Sequence, residues 1–329
     1  MLTSEFDYRL PAELIAQKPL PQRDASRMLI LRRREREIVH GRFQDLPQYL
    51  SAGDVLVLNN VRVIPAKAWG KKGAREVEFL FLKEMEAGKW EVLCRPAKRA
   101  RVGDSISFAP DFVGEVVAAK ASGKRLLCFP GRDVRAELKK IGYAPLPPYI
   151  KRRKDQTDLR IFDLERYQTV FAENEGAIAA PTAGLHFTPQ ILTKVKKKGV
   201  TVQSLTLEVG QATFEPVSAE RVEAHRMLEE RYTISPRAAQ TISRAKTEDR
   251  PVVAVGTTVV RALESAGAAG RVRPGTCSTS LFIFPGYEFK VVDKLLTNFH
   301  LPKSSLLMLV SAFAGIDLIR KAYAEAVRL

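Results

Sequence analysis

At 329 residues the chain has room for one large domain or two ordinary ones, and its 45% hydrophobic and 27% charged content excludes a disordered polymer. A formal net charge of +16 favours a polyanionic partner such as nucleic acid, the alternative being a generally basic enzyme. Cys94, Cys128 and Cys277 are far apart with no CxxC pair, and His40, His186, His225 and His300 form no HExxH or HxH pair, so neither a disulfide framework nor a transition-metal site is expected.

The N-terminus carries Glu5, Asp7 and Arg9 and has no apolar core, so it does not read as a signal peptide, and no apolar run approaches a bilayer's thickness. A reducing, cytoplasmic setting is the expectation. Leu14 and Ile15 fall in a short helix ended by Pro19 and Pro21. Two strands, 28–31 and 38–39, flank the charged tip RRRERE. VLVLNN then reads as a buried strand whose terminal Asn59 and Asn60 are either turn formers or base-reading hydrogen-bonding groups.

From about residue 63 to 143 short β runs (EVEFLFLK, KWEVLCRP, DSISFA, EVVAAK, RLLCFP) recur at regular spacing, with tight turns at Gly88 and Gly123. This predicts a small barrel or sandwich inserted into the main domain. It carries the basic run RPAKRAR, and a second basic cluster, KRRK, follows PLPPYI at the domain junction. Such runs are usually solvated surface, but two clusters flanking one cleft would suit a phosphate backbone. A helix is expected over 134–141.

The remainder alternates strand and helix in α/β fashion. Helices are expected over 164–171, 190–198, 236–247 and 304–314, and strands over 177–180, 200–209 and 251–255. AAPTAGLHFTP lies at the centre of this half. A strand, a loop bent by Pro181 and Gly184, and a helix start at Thr188-Pro189 form the arrangement in which α/β proteins place ligands. Thr182, His186 and Phe187 ride on that loop, although a sharp connector with a locally capping histidine fits as well. In VVAVGTTVVRALES the turn at Gly256 leads into a helix start with Thr257, Thr258 and Arg261, which reads as an anion site or an ordinary cap. Thr297-Asn298-Phe299-His300 precede an apolar helix, as a site on a buried scaffold or as core residues.

AAPTAGLHFTP, GTTVVRALES, FIFPG and LLTNFHLPKSSLLMLVSAFAG, with ELIAQKPLPQRDASRML, GDVLVLNN, RVIPAK and PLPPYI in the first half, resemble the S-adenosylmethionine:tRNA ribosyltransferase-isomerase family of queuosine biosynthesis. Long motifs in the family's order over nearly the whole chain make a specific match. The resemblance implies a mixed-sheet α/β main domain (1–62 and 144–329) interrupted by a small β-barrel-like domain (63–143). It implies transfer and isomerisation of the ribosyl unit of S-adenosylmethionine onto the aminomethyl group of a 7-deazaguanine at the tRNA wobble position, with release of adenine and methionine. S-adenosylmethionine is then a co-substrate, tRNA the partner, no cofactor or metal is bound, and the protein is a monomer.

That chemistry needs aromatic faces for a sulfonium, met by Phe187, Phe214 and Phe299. It also needs acid/base groups, for which His186, His300, His225 and Glu208 form the pool. Thr257, Thr258 and Arg261 would hold the methionine carboxylate or a phosphate; Asn59, Asn60 and Arg62 would read the deazaguanine edge or its ribose. Pro181, Thr182, Ala183, Gly184, Gly210, Thr213, Gly256, Thr297 and Asn298 complete the expected substrate contacts. The chain departs from the family pattern at Val61 (Thr), at Ala74 and Arg75 (Gly-Gly), at Glu208 (His), at Gln211-Ala212 (Ala-Gly), at Leu228 (His) and at Val259 (Ser). The family's YRFFSxGDAM-like tail is not in this sequence. A tRNA-binding relative without activity is the competing reading. A methyltransferase glycine loop in LEVGQATF ranks last, since that loop needs several glycines.

Overall fold

The computed structural model describes residues 1–152, 158–210, 217–268 and 270–329. Strands β1 (Arg27–Arg32) and β2 (Glu37–Arg42) form the expected hairpin, with the charged tip at residues 33–36. The short helix expected at Leu14 is a single 3-10 turn, Ala12–Leu14, entered from Pro11. The chain then dives inward as β3 (Val55–Asn59), buried at every position, and β4 (Val61–Val63).

Next come β5 (Lys67–Lys72), β6 (Arg75–Glu86), β7 (Lys89–Arg95), β8 (Ser105–Ala109), β9 (Phe112–Ala119) and β10 (Lys124–Cys128). They close an antiparallel barrel in the order β10-β7-β6-β5-β8-β9. The period-2 alternation of EVEFLFLK sends Val77, Phe79 and Phe81 inward, where they meet Trp90, Phe112 and Phe129. Each such ring or branched chain contributes about 1.5–3 kcal/mol on burial. Space for the rings comes from a missing side chain: a Cβ on Gly114 would lie 2.5 Å from the Phe129 ring. Helix α1 (Val134–Ile141), capped by Asp133, leads out of the barrel, and Lys67 and Tyr143 exchange backbone hydrogen bonds where the chain enters and leaves.

Helix α2 (Leu159–Arg166) and strand β11 (Asn174–Ala177) follow. Both differ from expectation. The helix sits earlier than 164–171 because Gln168 is drawn away as a surrogate strand: its amide accepts from Val63 N at 2.9 Å and donates to Val63 O at 2.8 Å. The strand ends where it was expected to begin. β11 pairs in parallel with β4, and after Ala177 the chain turns so that Ile178 N donates to Val209 O at 3.2 Å. Residues 178–180 are buried but belong to no strand.

The rest builds the main layer: α3 (Pro189–Lys197), β12 (Thr201–Leu207), β13 (Glu230–Ile234), α4 (Pro236–Thr247), β14 (Val252–Val255) and α5 (Thr257–Ala266). A small ladder of β15 (Gly267–Ala268) and β16 (Arg271–Val272) precedes β17 (Gly275–Thr279), β18 (Lys294–Leu296), α6 (Ser305–Ala314) and α7 (Ile316–Arg328). The main sheet runs β17-β13-β12-β3-β14-β18, parallel from β12 to β18 and antiparallel at the β17 edge. Its parallel strands read as continuous apolar runs because both faces are covered, by α4 and α5 on one side and α3 on the other. The fold is therefore a mixed-sheet α/β unit carrying a closed barrel.

Candidate active site

The parallel strands β12, β14 and β18 end along one edge of the sheet, with β3 between β12 and β14, the position where open α/β sheets leave a crevice for ligands. The AAPTAGLH loop crosses this carboxyl edge with one anchor at each of these strand ends. Ile178 bonds Val209 beyond β12. Ala183 packs beside Gly256 beyond β14, its Cβ 3.9 Å from where a Gly256 side chain would begin. His186 Nε2 lies 3.0 Å from Asn298 Nδ2 beyond β18. The turn at Gly256 needs its glycine, since φ there is +93°. Pro181 is buried and Thr182 half-buried; Gly184 is packed so tightly that a Cβ would meet Phe171 at 2.8 Å and Thr169 at 2.9 Å.

Polar atoms at this edge are left unmatched. Among the described residues, buried Thr258 Oγ1 and Asn298 Oδ1 have no hydrogen-bond partner, a costly state for a groove that stays empty. Thr257 is buried beside Thr258 at the start of α5. Glu208, just past β12, has no hydrogen-bond or ion-pair partner for its carboxylate among the described residues, and Gly176 gives it room, a Cβ there falling 3.3 Å from its Cγ. Phe299 turns its ring outward at 55% exposure, held edge-on by Tyr323 at 5.0 Å.

Two imidazoles sit at the edge. Burial pushes His186 below its ordinary value and the Arg23 guanidinium adds to the push, while a hydrogen bond to the Arg23 backbone opposes it. The His186 ring lies against Phe43, centroids 5.3 Å apart. Burial drives His300 down to about 4. Its Nε2 is 3.1 Å from Thr297 Oγ1, its N–H donates to the Tyr323 hydroxyl and its carbonyl accepts from Tyr8. Both rings are therefore neutral near pH 7.

The model of the queuosine biosynthesis protein family matches residues 3–329. S-adenosylmethionine:tRNA ribosyltransferase-isomerase of Carboxydothermus hydrogenoformans is 49% identical, with 100% of this chain and 96% of the relative covered. The protein of that name from Desulforamulus reducens is 48% identical over 99% and 95%. The crystal structure of S-adenosylmethionine tRNA ribosyltransferase from Thermotoga maritima superposes with a TM-score of 0.55 at 36% identity, covering 99% of this chain and 95% of that one. The chain belongs to the queuosine biosynthesis protein family.

Several residues expected at the family's site are committed elsewhere. Arg261 is 4% exposed and its guanidinium is paired with buried Glu230, with further bonds to the Leu281 and Thr279 carbonyls, so it is not open to an incoming anion. Glu230 also accepts from Gly210 N at 3.1 Å and so fixes that glycine in place. Asn59 spends its amide on the Leu207 carbonyl, on Leu207 N and on Val61 N, so it is a turn former, not a base reader. Asn60 is held by Glu173 at 2.7 Å and by the Thr206 hydroxyl at 2.7 Å. Arg62 donates to the Ala172 carbonyl. Phe187 is fully buried between Phe43 and Phe171, so its ring is unavailable to a sulfonium. His225 packs on Phe282 at 5.0 Å and touches none of the other three acid/base candidates. Thr213, Phe214, Gln211 and Ala212 lie outside the described residues, as do the last two residues of KRRK.

Sequence reasoning missed the supports. Arg23 pins the loop by donating to the Leu185 carbonyl at 3.1 Å and to Glu165 O at 3.0 Å. Its only trace was its place inside the QRDASRML block. Tyr8 and Tyr323, which clamp the His300 backbone, stood in no motif at all. Their enclosure of His300 has a measurable consequence. The unfolded imidazole binds a proton below its ordinary value of 6.5, whereas the folded one resists until about 4. The contribution of His300 is therefore full above pH 6.5 and falls by on the order of 3 kcal/mol as pH drops through that window. Urea midpoints at pH 6.5 and 4 measure this, and His300→Gln should show a smaller acid-induced loss than the parent.

Proposed function

We propose that the protein transfers the ribosyl moiety of S-adenosylmethionine to 7-aminomethyl-7-deazaguanine at the tRNA wobble position and isomerises it to the epoxycyclopentane of epoxyqueuosine, releasing adenine and methionine. Family membership over residues 3–329 supports the reading. What supports it for this chain is the carboxyl edge, where His186 meets Asn298 and where, among the described residues, the Thr258 hydroxyl, the Asn298 amide oxygen and the Glu208 carboxylate have no hydrogen-bond partner and Phe299 points outward. In this reading Phe299 and Glu208 face the sulfonium, whose positive charge a ring face and a carboxylate both favour. The orphaned Thr258 hydroxyl and Asn298 amide oxygen take the polar groups of the nucleoside or the methionine tail. His186 removes a proton and, once charged, has one to return to the departing adenine. His300 and Glu208 complete the acid/base pool. S-adenosylmethionine is consumed as a substrate, and the chain's own side chains supply the chemistry.

We also read residues 1–62 with 144–329 as the catalytic unit and 63–143 as the inserted one, working as a monomer in the cytoplasm. Among the described residues no helix is long and apolar enough to cross a membrane, and no group of three or more His, Cys, Asp or Glu gathers as a metal-binding set. The test is incubation with S-adenosylmethionine and tRNA carrying the modified base, with chromatography of the products. Adenine and methionine should appear together and only with the modified tRNA. S-adenosylhomocysteine would point to methyl transfer, and tRNA binding without adenine would make the protein an inactive relative.

A further inference from the structure

We infer that the far end of the barrel is a second docking point for the RNA, gripping backbone phosphates away from the nucleotide that reacts. The inference rests on the tRNA substrate proposed above. Lys72, Arg75, Lys98, Arg99 and Arg101 line one concavity of about 510 Å³. Two elements build it. Lys72 and Arg75 face each other across the β5–β6 turn, and the 3-10 turn Ala97–Arg99 with Arg101 follows β7.

Internal bonds hold the frame and leave part of the charge free. Arg99 donates to the Glu76 carbonyl at 3.1 Å, tying the two elements together. Asp104 is consumed by Lys72 at 2.6 Å and by Arg101 N at 2.7 Å. The side-chain cations of Arg75 and Lys98 have no partner among the described residues and are exposed, as is Arg101, whose cation shares the Asp104 carboxylate with Lys72 through space. Cations gathered round one hollow repel one another, and solubility alone asks only for charge spread over a surface with both signs mixed. A row of phosphates removes the repulsion, and the guanidinium fork matches phosphate oxygens. β5 runs from the junction residue Lys67 to Lys72, so at about 3.3 Å per residue the hollow opens roughly 17 Å along the strand from that junction. That reach suits a long ligand held at two points better than a small anion held at one.

The test is direct binding of unmodified full-length tRNA, without S-adenosylmethionine, to the whole protein and to an R75A/K98A/R101A variant. All three positions are exposed, and the melting temperature checks that the fold is kept. The variant should bind about 10- to 100-fold more weakly, with the log–log salt slope shallower by roughly two to three. A charge-retaining R75K/R101K variant should keep nearly the parent's salt slope and bind more tightly than the triple variant. Equal affinity and equal slope for parent and triple variant would overturn the inference. So would a loss confined to inorganic phosphate or to anionic vesicles, which would assign the hollow to a free anion or a lipid surface. Because the readout is binding, a parent that binds tRNA yet releases no adenine defeats the catalytic reading and leaves this one standing.

Discussion

Replacing His186 by Ala lowers tRNA-dependent adenine release by about 10²- to 10⁴-fold, the range for loss of a positioned acid or base, while tRNA affinity stays near that of the parent. The imidazole is fixed by Asn298 at 3.0 Å and by the Phe43 ring, and burial keeps it neutral. No anionic or cationic contact to RNA disappears with it in the neutral state, so the effect falls on the chemical step. Single-turnover release and equilibrium tRNA binding separate the two. Full activity in the variant would take His186 out of the acid/base pool and leave His300 and Glu208.

Truncation of Arg261 to Ala costs about 3–5 kcal/mol of stability, because it takes the countercharge away from the buried Glu230 carboxylate. Glu230 is 6% exposed and Arg261 4%. The pair also ties α5 to the carbonyls of Leu281 and Thr279 and to Gly210 N. Chemical denaturation should show a lower midpoint for Arg261→Ala, and an E230Q/R261M double variant should lose less than the sum of the two single changes. A variant that keeps its midpoint but loses affinity for S-adenosylmethionine would instead return Arg261 to the role of an anion ligand.

The contrast between these two residues shows what the sequence makes legible. Local signals survive intact: Thr188 caps α3 with Pro189 behind it, α4 spans the expected 236–247, and Gly256 turns β14 into α5. The alternation of the barrel strands and the continuous run of β3 also translate directly, since period and burial are properties of short windows. What fails is the commitment of polar groups to distant partners. Arg261 reads as a ligand until Glu230 is brought against it, Asn59 until Leu207 closes on its amide, and α2 overruns its end until Gln168 meets Val63. Phe187 and Phe299 look alike beside their histidines, yet packing sends one ring inward and the other out. None of these outcomes is written in spacing.

The loop that carries His186 takes an anchor from the ends of β12, β14 and β18. A slip of any one of these strands against its neighbours would drag the imidazole with it. Core substitutions remote from bound substrate would then detune turnover while circular dichroism still reads as native, so catalysis acts as a gauge of the alignment of the interior.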